Sequence, residues 1–231
     1  MMNPSSQKRE RLVVIQCNLR HAKSATALLD GWLATQSEAL ALIQEPYVRQ
    51  GQVHGYSQSI KVMSFGTRPR AAILSKGINL FACPSISGPD SITAIGIEAN
   101  GRKWYVNSTY MDQNILEIPA GTEEAMVLAK NNPCIIATDS NAHSHQWGHR
   151  DCVRGAMVEE FISKHGLIIC NKGKEYTFMS SKGSSCIDLT LANLKALPSV
   201  TDWKVSNDPY LDSDHLPITF YTGCPKPGPL V

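Results

Sequence analysis

The sequence predicts an α/β protein in which two mixed β-sheets pack face to face and helices flank them. Three observations lead there. About a dozen apolar runs of strand length follow one another along the 231 residues, most joined by Gly, Pro or Asn turns of the hairpin kind. Only three stretches carry helical periodicity. No internal repeat, low-complexity tract or shift in composition divides the chain. Residues 11–222 therefore read as one domain, between a flexible N-terminus (1–10) and a linker-like tail (223–231).

Taken in order, Leu12–Cys17 is the first strand and runs into Asn18. Ala22–Thr35 is a helix with Ala25, Leu28, Leu29 and Trp32 on its apolar side. Ala39–Gln44 is a second strand. It stops at Glu45-Pro46-Tyr47, because proline cannot donate to the ladder and restricts the residue before it. Strand-length runs follow at Gln58–Met63, Ala71–Leu74, Ile78–Ala82, Ser91–Glu98 and Lys103–Tyr110, with Asn100-Gly101 a two-residue hairpin turn between the last two. Thr122–Lys130 is a helix carrying Glu123 and Glu124 at its positive end, and Cys134–Ala137 is the strand after it. Val153–His165 is the third helix, with Val158, Phe161 and Ile162 inward and Gly166 as its cap. Leu167–Cys170, Tyr176–Met179, Cys186–Ala192, Val200–Val205 and Leu216–Phe220 complete the strands.

With 42% hydrophobic and 18% charged residues, the chain can bury a sizeable core. A net charge of +2 and a pI near 8.1 are too mild to identify a nucleic-acid binder, yet they leave room for a local basic patch. Seven cysteines without a C-x-x-C pair point to reduced thiols inside a cell, with Cys17, Cys134, Cys170 and Cys186 as small core residues. No signal-peptide pattern opens the chain and no apolar run has the length of a bilayer, so no membrane partner is expected.

Polar residues recur where strands end. Asn18 follows LVVIQC, Glu45 follows ALIQ and Tyr110 follows WYVNST; Asp139-Ser140-Asn141 follows CIIAT, Asp188 sits in CIDLTLA, and Asp214-His215 opens LPITF. Together they describe one polar, acidic end of a double sheet. Strand alternation places Asp139 and Asn141 on one face. There Asp139 can take a proton from an attacking water, and Asn141 can hold that water or a phosphate oxygen.

The ordered set Asn18, Gln44-Glu45-Pro46, Tyr110, Asp139-x-Asn141, Ser185-x-x-Asp188 and Ser213-Asp214-His215 resembles the endonuclease/exonuclease/phosphatase superfamily, across nearly the whole chain. The resemblance implies a four-layer α/β sandwich of the DNase I-like kind and a divalent cation, Mg²⁺, with Mn²⁺ as a substitute. Asn141-Ala142-His143-Ser144 with Trp147-Gly148, Arg154-Gly155 opening a helix, and Tyr176-Thr177-Phe178 before Cys186–Leu191 are similar to one subfamily. That subfamily is the endonuclease domain of non-LTR retrotransposons, and within it the site-specific, telomere-repeat-targeting TRAS-like elements. The pattern departs at Thr138 and Ser140, where that group commonly has Gly and Phe; this touches packing beneath the site more than its chemistry.

For phosphodiester hydrolysis, Glu45 is the first choice as metal ligand, with Asn18 as its neighbour. The cation there neutralises phosphate charge and stabilises the departing 3′ oxygen. Asp214 is expected to orient His215. His215 either donates to a phosphate oxygen as an imidazolium or acts as the base when neutral, with Asp139 the alternative base. Asp188 ties His215 or the water site together, and Tyr110 offers its hydroxyl to the phosphate. Arg20, Arg49, Arg68, Arg70, Arg150 and Arg154 are candidate phosphate contacts. Met179–Ser185 matches the family's DNA-probing hairpin loop, with Lys182 able to enter a groove and Thr177 and Ser185 beside it. His143 and His145 line the DNA-facing rim, since their spacing argues against structural zinc, and Trp147 reads as core.

The expected protein is a nuclear, Mg²⁺-dependent endonuclease that nicks double-stranded DNA at a preferred target and leaves a 3′-hydroxyl and a 5′-phosphate. By resemblance, that 3′-hydroxyl primes target-primed reverse transcription by a reverse transcriptase domain in the same longer polypeptide. The alternatives are an apurinic/apyrimidinic repair endonuclease or related phosphatase and, from another class, a DNA-targeting module with little cleavage.

Overall fold

Period-two alternation decides the layers. Along β1 (Arg11–Asn18), Leu12 and Val14 belong to one buried cluster and Ile15 and Cys17 to another. A strand apolar on both faces has to be covered twice. The structure, a computed structural model, describes residues 11–97 and 101–223. The expected N-terminal segment, Glu98, Asn100 of the hairpin turn and residues 224–231 of the tail lie outside the described residues.

Two six-stranded sheets form. The first runs β15 (Thr201–Val205), β16 (Ile218–Gly223), β1, β2 (Ala39–Gln44), β6 (Ala71–Lys76), β5 (Lys61–Met63). The second runs β11 (Leu167–Ile169), β14 (Asp188–Asn193), β10 (Cys134–Asp139), β9 (Lys103–Tyr110), β8 (Ser91–Ile97), β7 (Leu80–Ala82). Their inner faces meet through Leu12, Leu40, Leu42 and Ile73 from one side and Val106, Ile135, Ala137 and Ala192 from the other. Helix α1 (Lys23–Thr35) covers the outer face of the first sheet through Ala25, Leu29 and Leu33. Helices α2 (Ala120–Ala129) and α3 (Val153–Lys164) cover the second, through Met126, Ala129, Val158, Phe161 and Ile162. This is the expected order of four layers: helix, sheet, sheet, helices.

Several elements differ from expectation for local reasons. Leu28 of α1 is exposed while Leu33 is buried, so the apolar stripe lies about a sixth of a turn away from the predicted one. Gln58–Ile60 is a turn, closed by Ile60 N–H to the Ser57 carbonyl (3.0 Å), and leaves only β5 as strand. Cys186 and Ile187 are not in β14: the Ile187 N–H bonds to Thr177 Oγ1 (3.1 Å) and its carbonyl accepts from Ser140 N–H (2.9 Å). Two small hairpins stand off the sheets, β3 (Val48–Arg49) with β4 (Gln52–Val53), and β12 (Phe178–Ser180) with β13 (Gly183–Ser185). The first turns on Gln50 and Gly51, both at positive φ, which suits the twist of a two-residue hairpin. Trp147 is wholly buried, as read from the sequence.

Polar pins cross the inter-sheet core just below one end. Gln16 of β1 donates to the carbonyls of Thr138 (3.3 Å) and Leu189 (3.1 Å) and accepts from Thr190 Oγ1 (2.8 Å). Gln44 of β2 donates to Ser108 Oγ (3.0 Å), and Ser108 Oγ donates to the Ile43 carbonyl (2.9 Å). Buried polar atoms are costly when left alone. Replacing Gln16 by Leu strands a buried hydroxyl and removes a shared donor from two buried carbonyls, so the expected loss is roughly 2–4 kcal/mol. A urea titration of Gln16→Leu with its m-value unchanged measures it; a loss below about 0.5 kcal/mol shows the pin to be dispensable.

On the far side, Glu123 of α2 accepts from Lys164 Nζ (2.9 Å) of α3 and from His165 Nε2 (2.6 Å) just beyond it. Burial raises the Glu123 carboxyl, but these two donors outweigh it and hold the group below its ordinary 4.5. A lowered folded-state value means the contribution is present above the ordinary value and is lost as pH falls through the lower one. The stability gap between wild type and Glu123→Gln should thus be about 1 kcal/mol at neutral pH, since the pair is partly exposed. In denaturation series it should hold down to the ordinary carboxylate range and close only below it. A gap that widens in acid reverses the sign.

Candidate active site

The polar strand ends gather because of strand direction. β1 and β2 are parallel and pair Asn18 with Gln44, so Asn18 and Glu45 leave the first sheet together. β9 and β10 are parallel and pair Tyr110 with Asp139. β14 is antiparallel to β10, which sets its first residue, Asp188, opposite Asp139. β16 is antiparallel to β1, and His215 precedes its start. Alternation also puts Asp139 in step with Ile135 and Ala137 of the inter-sheet core. The site is the polar cap of that core.

At its centre the Asn18 amide donates to two carboxylates, Asp139 Oδ2 (2.8 Å) and Glu45 Oε2 (3.0 Å). The His215 Nδ1 lies 3.0 Å from Asp188 Oδ2 and 3.1 Å from Oδ1. A carboxylate can only accept, so Nδ1 carries the proton. The other ring nitrogen, Nε2, is 3.9 Å from Asp139 Oδ2. Asp139 and Asp188 are 1% exposed and His215 6%. Burial first, then the charge of Asp188, push the Asp139 carboxyl up, against His215 and the Asn18 hydrogen bond. Burial acts to lower His215, but Asp188, then Asp139 and Asp214, overcome it and hold the imidazole well above its ordinary value.

Four of the eight non-glycine residues with positive φ among the described residues sit here: Arg20, His21, Glu45 and Asn141. Such backbone costs on the order of 1–3 kcal/mol per residue and persists only where neighbours over-determine it. Each N–H is held: Arg20 by Asn18 Oδ1 (2.8 Å), Asn141 by Asp139 Oδ1 (3.2 Å), His21 by the Glu45 carbonyl (2.7 Å) and Glu45 by the Arg70 carbonyl (2.7 Å).

Some predicted roles change. β10 ends at Asp139, and Asn141 is not its alternate on a strand face; it turns left-handed and sends its amide to the Met111 carbonyl (3.0 Å). The residue that orients His215 is Asp188, not Asp214, whose Oδ2 pairs with Arg20 NH1 at 2.9 Å. Asn18 Oδ1 accepts the Arg20 N–H, and its amide bridges two carboxylates as a donor. Thr177, expected at the DNA, is wholly buried and accepts the N–H groups of Ile187 and Asp188 through its hydroxyl. Arg154 is 5% exposed and turned inward, with neither terminal nitrogen bonded among the described residues. It opens a helix that presses on the loop before it, where a Cβ on Gly155 would sit 1.8 Å from the His143 carbonyl oxygen. Arg70 spends its charge on Asp90 and Asp112. Arg20, Arg49, Arg68, Arg150 and Lys182 are exposed, while Ser185 and His143 are half-buried; the His143 ring meets Arg150 (2.8 Å).

The donors present suit a hard divalent cation. Glu45 is a half-buried carboxylate at the mouth. Asp139, Asp188 and His215 offer ligand atoms all within 4.8 Å of one another. The upward push on Asp139 by Asp188 marks an excess of negative charge that such a cation relieves. Of Glu45, Asp139 and Asp188, Glu45 is the most exposed, which suits it to oxygen coordination. Sequence reading missed Gln16 and the Asp90–Arg70–Asp112 chain; both rest on pairings between distant segments that no local pattern announces.

Comparison with known proteins agrees with this geometry. A family model described as endonuclease–reverse transcriptase matches residues 104–219, half of the chain. A 115 kDa protein of the type-1 retrotransposable element R1DM of Drosophila melanogaster is 25% identical over 219 residues; the match covers 89% of this chain and 21% of that protein. The endonuclease domain of TRAS1, a telomere-specific non-LTR retrotransposon, superposes with a TM-score of 0.76 at 25% identity, covering 93% of this chain and all of that one. An AP endonuclease from Leishmania major shares the fold (TM-score 0.70, 11% identity, 93% and 88% of the two chains). No helix among the described residues is long and apolar enough to cross a membrane. The chain belongs to the endonuclease–reverse transcriptase family.

Proposed function

We propose that this domain, residues 11–222, is a Mg²⁺-dependent endonuclease that nicks double-stranded DNA at preferred sites in the nucleus. It leaves a 3′-hydroxyl that primes reverse transcription by another domain of the same polypeptide. The observation that carries the reading is His215 fixed by Asp188 and facing Asp139, which Asn18 in turn ties to Glu45. With Nδ1–H committed to Asp188, Nε2 is the nitrogen free to meet a phosphate, and two flanking carboxylates favour its protonated form. His215 then donates to a phosphate oxygen, and Asp139 is the base that takes the proton of the attacking water. Asn18 keeps Asp139 pointed at the cleft. A cation held by Glu45 would neutralise the phosphate and the departing 3′ oxygen.

The β12–β13 hairpin is joined to the catalytic histidine by backbone. Met179 N–H bonds to the Asp214 carbonyl (2.8 Å) and Leu216 N–H to the Thr177 carbonyl (2.7 Å), and Phe178 meets the His215 ring edge-on at 4.9 Å. The tip carrying Lys182 is exposed, so a duplex seated at His215 would be read beside the scissile bond by this hairpin.

A plasmid-nicking assay tests the chemistry. Wild type should convert supercoiled to open-circular DNA with Mg²⁺ and stop in EDTA. Asp139→Asn and His215→Ala should each cost roughly a thousandfold or more, and the double variant little beyond that, because both act on one transition state. Folded protein inert on plasmid with Mg²⁺ or Mn²⁺, or active in EDTA, refutes the reading. A second assay maps nicks at single-nucleotide resolution on telomere-type repeats beside random DNA. Lys182→Ala should weaken binding and blur the pattern while residual nicks still need Mg²⁺; exchange of the whole Met179–Ser185 tip without any change would move target choice to the Arg49 and Arg68 side.

A further inference from the structure

Arg70 stands immediately before β6 of the first sheet and reaches across to the second. Its Nε bonds to Asp90 Oδ1 at 2.5 Å, its NH1 pairs with Asp112, and its guanidinium carbon lies 5.0 Å from the centre of the Tyr110 ring. Asp90 leads into β8 and Asp112 follows β9, so the three contacts hold one plane between segments that enter and leave the catalytic edge. Arg70 backbone also serves the site, since its carbonyl holds the N–H of left-handed Glu45.

We infer that Arg70 is a positioning residue for Tyr110, a clamp that fixes the phenol against the cleft rather than a contact to DNA. The inference rests on the nuclease reading above. Three observations argue for the clamp. Two carboxylates face one guanidinium, so no net positive charge is left to attract a phosphate. A planar guanidinium stacks on an aromatic face while its edge bonds carboxylates, a combination lysine cannot reproduce. Tyr110 lies directly beside Asp139 in the β9–β10 register, and burial, then the charges of Glu45, Asp139 and Asp112, keep its hydroxyl protonated against the smaller pull of Arg70. A phenol that stays protonated is a hydrogen-bond donor for a phosphate oxygen, and its usefulness depends on where the ring is held.

The test is a kinetic double-mutant cycle on the full domain with a Mg²⁺-supported nicking substrate. Tyr110→Phe, Arg70→Lys and Arg70→Met are compared with Tyr110→Phe/Arg70→Met. Arg70→Lys retains a cation between Asp90 and Asp112, so it serves if Arg70→Met does not fold. The clamp predicts that Arg70→Lys and Arg70→Met each lower kcat by about as much as Tyr110→Phe, 10- to 100-fold. KM and its salt dependence should stay within twofold, and the double variant should be no slower than Tyr110→Phe alone. Multiplying effects in the cycle would show that Arg70 acts without Tyr110. A raised KM with a shallower salt slope would make Arg70 a phosphate contact, and either result overturns the inference. Wild type that fails to nick refutes the nuclease reading itself, whereas wild type that nicks beside an Arg70→Lys variant of equal kcat refutes only the clamp.

Discussion

The site depends on the Asn18 amide holding two carboxylates at once. Asp139 belongs to the second sheet and Glu45 follows a strand of the first, so this neutral donor is where the sheets agree on a geometry. Both hydrogens of the amide are committed and its oxygen is occupied by Arg20 N–H, which leaves no alternative rotamer with equal satisfaction. Below it, Gln16 and Gln44 lock the same two sheets through buried polar contacts. A purely apolar core would let the sheets slide by small amounts at little cost. Directional bonds at one end forbid that where ångström precision is needed.

Excess negative charge follows from the same arrangement. Asp139 and Asp188 stand opposite each other on neighbouring strands and are almost fully buried. Left alone, that pair would be costly. The His215 ring between them offsets part of it, while burial first and then the charge of Asp188 push Asp139 up. Under the proposed nuclease reading, a divalent cation at Glu45 would relieve this negative charge and a phosphate would add to it.

Much of this was legible in the sequence, and the reasons divide cleanly. The strand ends at Asn18, Glu45, Tyr110 and Asp139 could be read because apolar runs and their polar stops are local signals. That they share one end of a double sheet was read from their recurrence at strand ends, and the parallel pairing of β1 with β2 and of β9 with β10 is what brings them there. What failed lay between segments or at turns. Asn141 left its strand face because its backbone turns left-handed, which alternation cannot foresee. Asp188 rather than Asp214 holds His215 because β14 pairs with β10. Thr177 and Arg154 fill motif positions yet face inward, one serving backbone N–H groups and the other lying under a helix start. Ser140, standing where the resembled group commonly has a larger residue, is used locally: its hydroxyl donates to the Ile187 carbonyl at 2.6 Å. Thr138 has no such use for its hydroxyl, which is buried without a partner among the described residues.

Under the proposed reading, chemistry and target choice would therefore be built from different material. The carboxylates, Asn18 and His215 lie on sheet strands or within three residues of their ends, most of them buried and joined by bonds that cross between sheets. The tip of the β12–β13 hairpin carries small and polar side chains and the hairpin forms its own two-stranded sheet, but its base is bonded to the segment that carries His215. Changing its tip leaves the buried set untouched, because no tip side chain contributes to it. Changing its base would not, since Thr177 holds the N–H of Asp188 and Phe178 lies against the His215 ring. A boundary between residues that touch the buried set and residues that do not thus runs across the hairpin at about Met179, so that under the proposed reading a tip that changes targets would be compatible with a base that preserves the reaction.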